Sequence, residues 1–237
     1  MSDRDQKLGH LMASVSRRGF LGGAAALGGV MTLSPGGILM PGQALAADEP
    51  KRGGHFKIGM NGGATSDTLD PAGYSASVLF VVGRLWGDTL VESDPKTGAA
   101  LPSIATAWEP SADASTWTFK IRDDISFHDG TKMTVADIVA TLKRHSDANS
   151  KSGALGLLSS IKSIEEKAGD LVLTLTEGNA DLPLLMTDYH LIIQPKGGAE
   201  NPNAAIGTAP YVLKNSEPGV RATFEKNPHD WRSDRGY

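Results

Sequence analysis

The sequence has 237 residues, a net charge of −4 and no cysteine. An acidic balance argues against a nucleic-acid interface or a surface for anionic membranes, because both depend on an excess of lysine and arginine. Without cysteine the chain forms no disulfide and offers no thiolate to a metal ion. A chain of this length can form one domain or two small ones.

Residues 1–46 carry the features of an export signal in the expected order. Arg17 and Arg18 precede a glycine-rich apolar stretch at about 21–33, which is too short to span a bilayer. The segment ends on Ala-Leu-Ala, a small-residue cleavage motif. We therefore predict a twin-arginine signal peptide that sends an already folded protein to the periplasm. No cysteine follows the apolar stretch to carry a lipid, so we expect a soluble protein rather than an anchored one.

The first predicted elements after the leader are a strand, a helix and a turn. Phe56, Ile58 and Met60 alternate with other residues after a Gly-Gly pair, which is typical of a half-buried strand. Residues 78–90 place apolar side chains at helical spacing. The Asp-Pro-Lys-Thr-Gly of 94–98 predicts a turn.

The segment 101–144 carries the strongest local signals. Trp117, Phe119 and Ile121 alternate with polar residues and predict a strand, and Ile125 and Phe127 resume the alternation after an Asp-Asp pair. An Asp-Gly pair at 129–130 then favours a tight turn, because glycine accepts a positive φ.

A helix should follow this turn. Thr134 can cap its first turn, and Asp137 places a negative charge near the positive end of the helix dipole. Near its end, cations at 143–145 would interact favourably with the negative end of the dipole. The apolar face of this helix comprises Val135, Ile138, Val139 and Leu142, and its C-terminal cations are Lys143, Arg144 and His145.

The remaining elements complete an α/β chain. Residues 161–164 and 171–176 predict a hairpin, and 184–186 predict a short helix after a proline. The run 191–193 is apolar throughout, as in a fully buried strand. Apolar residues at 211–213 and 222–224 flank a Glu-Pro-Gly that suits a type II turn.

Seven short motifs, in the right order, resemble those of the family 5 extracellular solute-binding proteins. Members of this family deliver peptides, nickel complexes and similar solutes to ATP-driven importers. The resemblance covers essentially all of the chain after the leader, with isoleucine for leucine at 104 and 121 and alanine for glycine at 209. The motifs are Leu69-Asp70-Pro71, Leu101-Pro102 to Trp108, Trp117 to Arg122, Phe127-His128-Asp129-Gly130, Thr134 to Val139, Ile206-Gly207-Thr208-Ala209-Pro210-Tyr211 and Asn227-Pro228-His229-Asp230-Trp231.

The resemblance implies a type II periplasmic binding protein-like fold, in which two lobes close on a ligand. Residues 47–86 and 195–237 would form a discontinuous, incomplete first lobe, and 87–194 would form an inserted α/β domain. Family chains are much longer, so the second lobe is expected to be absent from this sequence. We expect this part alone to be poorly soluble or to bind weakly, because its cleft would expose apolar surface.

The resemblance also implies which loops face the ligand. In the family the cleft receives the loop after Leu-Asp-Pro, the loop after the helix that begins near Thr134, and the segment that enters the hinge. The corresponding residues are Tyr74, Ser75, Ala76 and Ser77, then Ser150, Lys151, Ser152 and Gly153, then Asp188, Tyr189 and His190.

The implied function is the periplasmic substrate-binding component of an ABC importer, with di- or oligopeptides as the first candidate cargo. Nickel complexes, opines and oligosaccharides remain alternatives within the same family. The implied partners are the solute and an inner-membrane permease with its ATPase. We expect a monomer that uses no cofactor, binds no metal ion and contacts no nucleic acid.

An exported enzyme is the alternative from another functional class. Ser159 and Lys162 form an S-x-x-K pattern and 96–98 read Lys-Thr-Gly, as in serine acyl enzymes, but their order is reversed. His128 has no histidine at metal-ligand spacing, and the turn explains its Asp-Gly neighbours. The acidic pairs at 123–124 and 165–166 are typical of solvated loop ends. The sequence therefore favours a binding protein over an enzyme.

Overall fold

A computed structural model of the chain describes residues 53–232. The chain divides into two units, Met1–Pro50 and Lys51–Tyr237, and the described residues belong to the second. The predicted signal peptide, with Arg17 and Arg18, lies outside the described residues. Within 53–232 no helix is long and apolar enough to cross a membrane.

Four α-helices and eight strands form the regular structure of residues 53–232. The helices are α1 (Ser77–Trp86), α2 (Val135–Ser146), α3 (Leu155–Leu158) and α4 (Leu182–Leu185). The strands are β1 (Val91–Ser93), β2 (Ala100–Pro102), β3 (Ala105–Pro110), β4 (Thr116–Ile121), β5 (Ile161–Lys167), β6 (Asp170–Leu175), β7 (Tyr211–Glu217) and β8 (Arg221–Lys226). Two 3-10 turns, Pro71–Gly73 and Pro195–Gly198, complete the set.

The main sheet is antiparallel throughout, in the order β3-β4-β6-β5. The predicted hairpin at 161–176 is confirmed as β5-β6. Its turn residues Ala168 and Gly169 have φ angles of 54° and 85°, the positive values that a two-residue hairpin turn needs. The predicted strand 117–121 is confirmed as β4, and Trp117 and Phe119 point into the core. The large core between this sheet and α2 also contains Ile138, Leu142, Leu171, Leu173 and Leu175.

A smaller apolar cluster joins α1 to the later part of the described chain, residues 192–232, which we call the returning chain. Its buried members include Leu79, Trp86 and Ile192, and side chains of the β7-β8 hairpin pack against it. The hairpin itself agrees with the prediction, since Gly219 has a φ of 73° and the Val220 N–H donates to Glu217 O. These contacts bring residues that are more than a hundred positions apart in sequence onto one apolar surface.

The start of α2 follows the predicted capping. The backbone N–H of Thr134 donates to Asp137 Oδ2 over 2.8 Å, and the Thr134 hydroxyl lies 2.7 Å from the same oxygen. The other oxygen of Asp137 accepts the backbone N–H of Lys196 over 2.8 Å. One carboxylate therefore fixes both the first turn of α2 and the 3-10 turn that begins at Pro195.

Two predicted strands are wrong. Residues 53–60 form no strand, and Phe56 remains 88% exposed although its alternation with Ile58 and Met60 suits a sheet. Alternation cannot create a strand where no partner strand lies alongside to accept its hydrogen bonds. Residues 191–193 are buried as predicted, but they form no strand ladder: the Leu191 N–H donates to Asp188 O within a turn, and the Ile193 N–H donates to Asp88 O.

A buried carboxylate, Asp88, holds the returning chain against the body of the protein. Its Oδ2 accepts the Thr208 hydroxyl over 2.9 Å and the indole N–H of Trp231 over 3.2 Å. Its Oδ1 lies 2.5 Å from the guanidinium of Arg232, which also contacts Glu92 over 2.8 Å. This ion pair is largely shielded from water, so removing one partner should leave a costly buried charge.

We expect Arg232→Ala to lower the free energy of unfolding by roughly 3 kcal/mol, because Asp88 would keep its charge in a buried site without its cationic partner. Urea unfolding followed by tryptophan fluorescence measures this change. Lys214→Ala is the matched control, since Lys214 pairs with Glu225 over 3.4 Å with both side chains exposed. An equal effect of the two substitutions would contradict the anchoring role of Asp88.

Candidate ligand-binding site

The three segments that the sequence assigned to the ligand meet in the structure. The imidazole Nε2 of His190 donates to the backbone oxygen of Tyr74 over 2.9 Å. The backbone N–H of Gly153 donates to Ala72 O over 3.0 Å. A β-carbon at position 153 would lie 2.4 Å from His190 Nε2, so the absent side chain is what allows this approach. We call this meeting point of 72–77, 150–153 and 188–190 the site junction.

The turn at Asp188 sets the orientation of His190. Asp188 Oδ1 accepts the backbone N–H of His190 over 2.9 Å and lies 2.6 Å from its Nδ1. The Tyr189 ring packs between two others, with centroid distances of 4.1 Å to His190 and 3.8 Å to Phe80 of α1. Asp188 and Tyr189 are half-buried and His190 is buried, so the turn presents a carboxylate and an aromatic ring at the edge of a packed layer.

Ser152 connects the second segment to α2. Its Oγ lies 2.6 Å from Nδ1 of His145 and accepts the Ala154 N–H over 3.1 Å. His145 is fully buried, and burial first, then the nearby charge of Arg144, lowers its pKa to about 4. The prediction that His145 is a cation of the helix dipole is therefore wrong, since the ring is neutral at physiological pH. Its spacing after Ile138 and Leu142 on one helical face was the signal for burial.

The loop before the site junction is fixed by polar contacts. Asn203 Oδ1 accepts the Thr68 hydroxyl over 2.6 Å and the backbone N–H groups of Leu69 and Asp70 over 3.1 Å each. The Asp70 carboxylate lies 2.5 Å from the Arg144 guanidinium. The Leu-Asp-Pro loop is thus held by residues from both α2 and the segment after Pro195.

The other predicted site residues differ in how they face solvent. Tyr74 is buried, its hydroxyl donates to Leu69 O over 3.2 Å, and burial raises its phenol pKa. Ser75, Ser77 and Lys151 are exposed, and Ser150 and Ala76 are half-buried. Ala76 stands at the cap position of α1 and provides no side-chain hydrogen bond there. The exposed members lie on the solvent side of segments whose buried members hold the site junction.

The residues that suggested enzymatic chemistry have structural contacts. Ser159 donates its hydroxyl to Gly156 O over 2.8 Å, and Lys162 is exposed on β5. Nε2 of His128 donates to Ala209 O over 3.0 Å, and burial lowers the pKa of this imidazole. Among residues 53–232, no cluster of three or more His, Asp or Glu side chains is placed to hold a metal ion. These contacts agree with the structural interpretation of Ser159 and His128.

A surface cleft of about 340 Å³ lies away from the site junction. Phe127 and the turn that follows it form one side, and the start of α2 and residues 194–206 form the other. It contains none of the residues assigned to the ligand from the sequence. Two of its charged side chains, Lys196 and Glu200, pair with each other over 2.6 Å, and Asp137 accepts the backbone N–H of Lys196. The site junction, rather than this cleft, is therefore the candidate site.

We expect Gly153→Ala to lower the free energy of unfolding by roughly 2 kcal/mol, because the new methyl group would displace a buried imidazole from its partners. Gly156→Ala is the control, since a β-carbon at position 156 would meet no atom within 4 Å and alanine favours the helix α3. Chemical denaturation measures both.

A double substitution tests the steric cause. In a Gly153→Ala background, His190→Ala should lower the free energy of unfolding by less than it does in the parent chain, because removing the ring also removes its clash with the new methyl group. Equal costs of His190→Ala in the two backgrounds would contradict the contact.

The unfolding free energy should depend on pH through His145. Its pKa falls from 6.5 to about 4 on folding, so the folded state resists protonation. The contribution of His145 to the free energy of unfolding is fully present above pH 6.5. It is lost as the pH falls towards 4, by about 3 kcal/mol in total. His145→Asn should remove most of this dependence, and His128 should account for a further part. A wild-type profile that is flat between pH 6.5 and 4 would rule this out.

The chain is similar in sequence to known periplasmic binding proteins. The chain is 28% identical over 222 residues to a probable peptide ABC transporter periplasmic-binding protein, y4tO, of Sinorhizobium fredii, covering 90% of this chain and 39% of that protein. It is 27% identical to the periplasmic oligopeptide-binding protein OppA of Salmonella typhimurium, covering 72% of this chain and 36% of that protein. The chain thus spans less than two fifths of either relative.

Solved structures show the same architecture. The PBP AgaA of A. tumefaciens R10, in complex with agropinic acid, matches with a TM-score of 0.66 and 30% identity over 73% of this chain and 36% of that chain. Haemophilus influenzae OppA, in complex with the peptide RPPGFSPFR, matches with a TM-score of 0.65 and 24% identity over 73% of this chain and 38% of that chain. The predicted fold class, an α/β chain with part of a periplasmic binding-protein fold, is confirmed.

The family model described as bacterial extracellular solute-binding proteins, family 5 Middle, matches residues 100–237, which is more than half of the chain. On this evidence the chain belongs to the family 5 bacterial extracellular solute-binding proteins.

Proposed function

We propose that this chain is part of the substrate-binding component of an ABC importer, which captures solute between two lobes and delivers it to a membrane permease with its ATPase. Its family is one of solute-binding proteins rather than enzymes, and relatives are named as ABC-transporter binding proteins. The observation that supports a binding role most is the site junction, where three distant segments bring Tyr74, Gly153 and His190 together.

Di- or oligopeptides are the first candidate cargo. The relatives in Sinorhizobium fredii and Salmonella typhimurium are named for peptides, and both align with most of this chain. The exposed Lys151 and the half-buried Asp188 could each make a charge-assisted contact with one end of a zwitterionic peptide. Ser75 and Ser77 add exposed hydroxyl groups to the first segment of the junction.

The proposed lobes follow the division made from the sequence. Residues 47–86 and 195–237 would form the first lobe, with 87–194 inserted between them. The smaller apolar cluster supports this division, because α1 and the β7-β8 hairpin share it. The segment that contributes Ile192 to that cluster also carries His190, so the site junction lies beside the proposed lobe boundary.

An opine is the second candidate cargo. AgaA, whose structure contains agropinic acid, is 30% identical to this chain. A nickel complex has weaker support, since the nickel-binding periplasmic protein of Escherichia coli is 26% identical and residues 53–232 contain no metal-binding cluster.

The proposed location is the periplasm, as for the relatives named as periplasmic proteins. Export by the twin-arginine route and the monomeric state remain predictions from the sequence.

The function is tested with the protein expressed from its own gene and purified from its native host. Native mass spectrometry should detect a co-purified peptide, and tripeptides should raise the melting temperature in a thermal-shift assay. Agropinic acid and a nickel–histidine complex serve as competing probes. A shift with agropinic acid alone would replace the peptide assignment, and no bound solute with any probe would overturn the binding role.

Lys151→Ala tests whether the solute binds at the site junction. We expect it to weaken binding of the solute that shifts the melting temperature by about tenfold, the effect of losing one charge-assisted hydrogen bond. Lys162→Ala is the matched control, because it removes an exposed lysine on β5. Isothermal titration calorimetry measures both, and equal losses would place the site elsewhere.

A further inference from the structure

Asn61 and Gly62 lie where a segment without hydrogen bonds joins the folded part of the described chain. Among residues 53–232, no backbone hydrogen bond is made to residues 53–63, and all of these residues are exposed. The first bonds form in the next turn, where the Ala64 N–H donates to Asp67 Oδ2 over 2.9 Å and the Asp67 N–H donates to Ala64 O over 3.0 Å. A backbone without such bonds samples many conformations.

Asn61 is followed by glycine, which is true of no other asparagine in the sequence. Gly62 has a φ of 88° and no β-carbon, so no side chain of its own shields its backbone nitrogen. A β-carbon at position 62 would meet one atom within 4 Å, Ala76 Cβ at 3.9 Å. Among the described residues no hydrogen bond holds the Asn61 side chain. The amide carbon of Asn61 can therefore approach the Gly62 nitrogen.

The other exposed asparagines lack at least one of these features. Asn215 belongs to the ladder of β7, and its side-chain amide donates to Glu217 Oε1 over 3.3 Å. Asn203 accepts three hydrogen bonds through its Oδ1. Asn201 precedes a proline, whose nitrogen carries no proton to lose. An exposed amide, an unpaired backbone and a following glycine thus coincide at Asn61.

We propose that Asn61 is a modification site, at which deamidation through a succinimide converts asparagine to aspartate and isoaspartate. The Gly62 backbone nitrogen loses its proton to hydroxide and attacks Cγ of Asn61. A C–N bond forms, and the side-chain nitrogen leaves as ammonia. Water then opens the ring. Opening at Cγ leaves aspartate with an ordinary peptide bond, and opening at the main-chain carbonyl carbon leaves isoaspartate. Water is consumed, ammonia is released, and no atom is oxidised or reduced.

Either product changes the surroundings of the site junction. Both add a negative charge next to Gly62, which lies beside Ala76 of the first junction segment. The following residue contacts the β7-β8 turn, since a β-carbon on Gly63 would lie 3.3 Å from Gly219 Cα. Isoaspartate also adds a methylene to the main chain just before this contact. The inference goes beyond the proposed function, because it concerns a covalent change of the chain and not the solute.

Peptide mass mapping of the purified full chain tests the modification. The chain is incubated at pH 8, digested, and the peptides that contain Asn61 and Asn215 are quantified over time. We expect Asn61 to lose its amide about tenfold faster than Asn215, because its backbone is unpaired and glycine follows it. Fragmentation that cleaves the main chain distinguishes isoaspartate from aspartate, and both should form. Equal rates at the two asparagines, or an Asn61 that keeps its amide, overturns the proposal.

Substitutions in the same segment test the cyclic route. Gly62→Ala places a β-carbon beside the attacking nitrogen and should slow the reaction about tenfold. Asn61→Gln keeps an amide but requires a larger ring, so it should remove the products. Gly59→Ala is the matched control, because a β-carbon at position 59 would meet no atom within 4 Å. A Gly62→Ala chain that deamidates as fast as the parent contradicts the attack by the backbone nitrogen.

NMR of the nitrogen-labelled chain tests the effect on the site junction. The backbone amide signal of Ala76 should shift with the same time course as the conversion of Asn61, and it should stay constant in Asn61→Gln. Asn61→Asp introduces the charge without the added methylene and should reproduce the part of the shift that is due to charge. An Ala76 signal that does not change while Asn61 is converted contradicts an effect on the junction.

Discussion

The buried carboxylate of Asp88 is the contact on which the arrangement of the described chain depends. It lies just after α1 and receives hydrogen bonds from Thr208, Trp231 and Arg232, which lie more than a hundred residues further along. Its backbone oxygen also accepts the Ile193 N–H. A single residue therefore fixes the positions of the segment that carries His190 and of the chain that returns to α1. A charge in such a place is tolerated only where its partners are complete.

Close contact between backbones at this point depends on small residues. A β-carbon at Gly207 would lie 2.2 Å from Trp86 O, so no larger residue fits where the returning chain crosses the end of α1. Two positions later the family motif has glycine and this chain has Ala209. Ala209 is fully buried, and its backbone contacts Trp86, His128 and Asn227. It does not have the positive φ that would require glycine, which explains why alanine is accepted.

The sequence predicted the elements whose causes are local. Thr134 and Asp137 lie three residues apart, and the turn at Gly219 needs one residue that accepts a positive φ. The two strand predictions that failed depend on residues far away in the sequence. The alternation of Phe56 and Ile58 is correct for a strand, but nothing in a local pattern shows whether a partner strand lies alongside. Residues 191–193 were correctly predicted as buried, but their apolar run could not show that isolated bonds from the Leu191 and Ile193 N–H groups take the place of a strand ladder.

The site, too, combines features that a local sequence pattern can predict with contacts that it cannot. The family resemblance indicated the three loops that converge, but not the contacts by which they do so, because the bonds between Tyr74 and His190 and between Ser152 and His145 depend on the folded chain. The steric relation between Gly153 and His190 couples two positions that are 37 residues apart. A side chain at position 153 therefore fits only where position 190 carries a group smaller than the imidazole ring. The order of the two changes is thereby fixed, because a smaller residue at position 190 is compatible with glycine at position 153, whereas a larger residue at position 153 is not compatible with histidine at position 190.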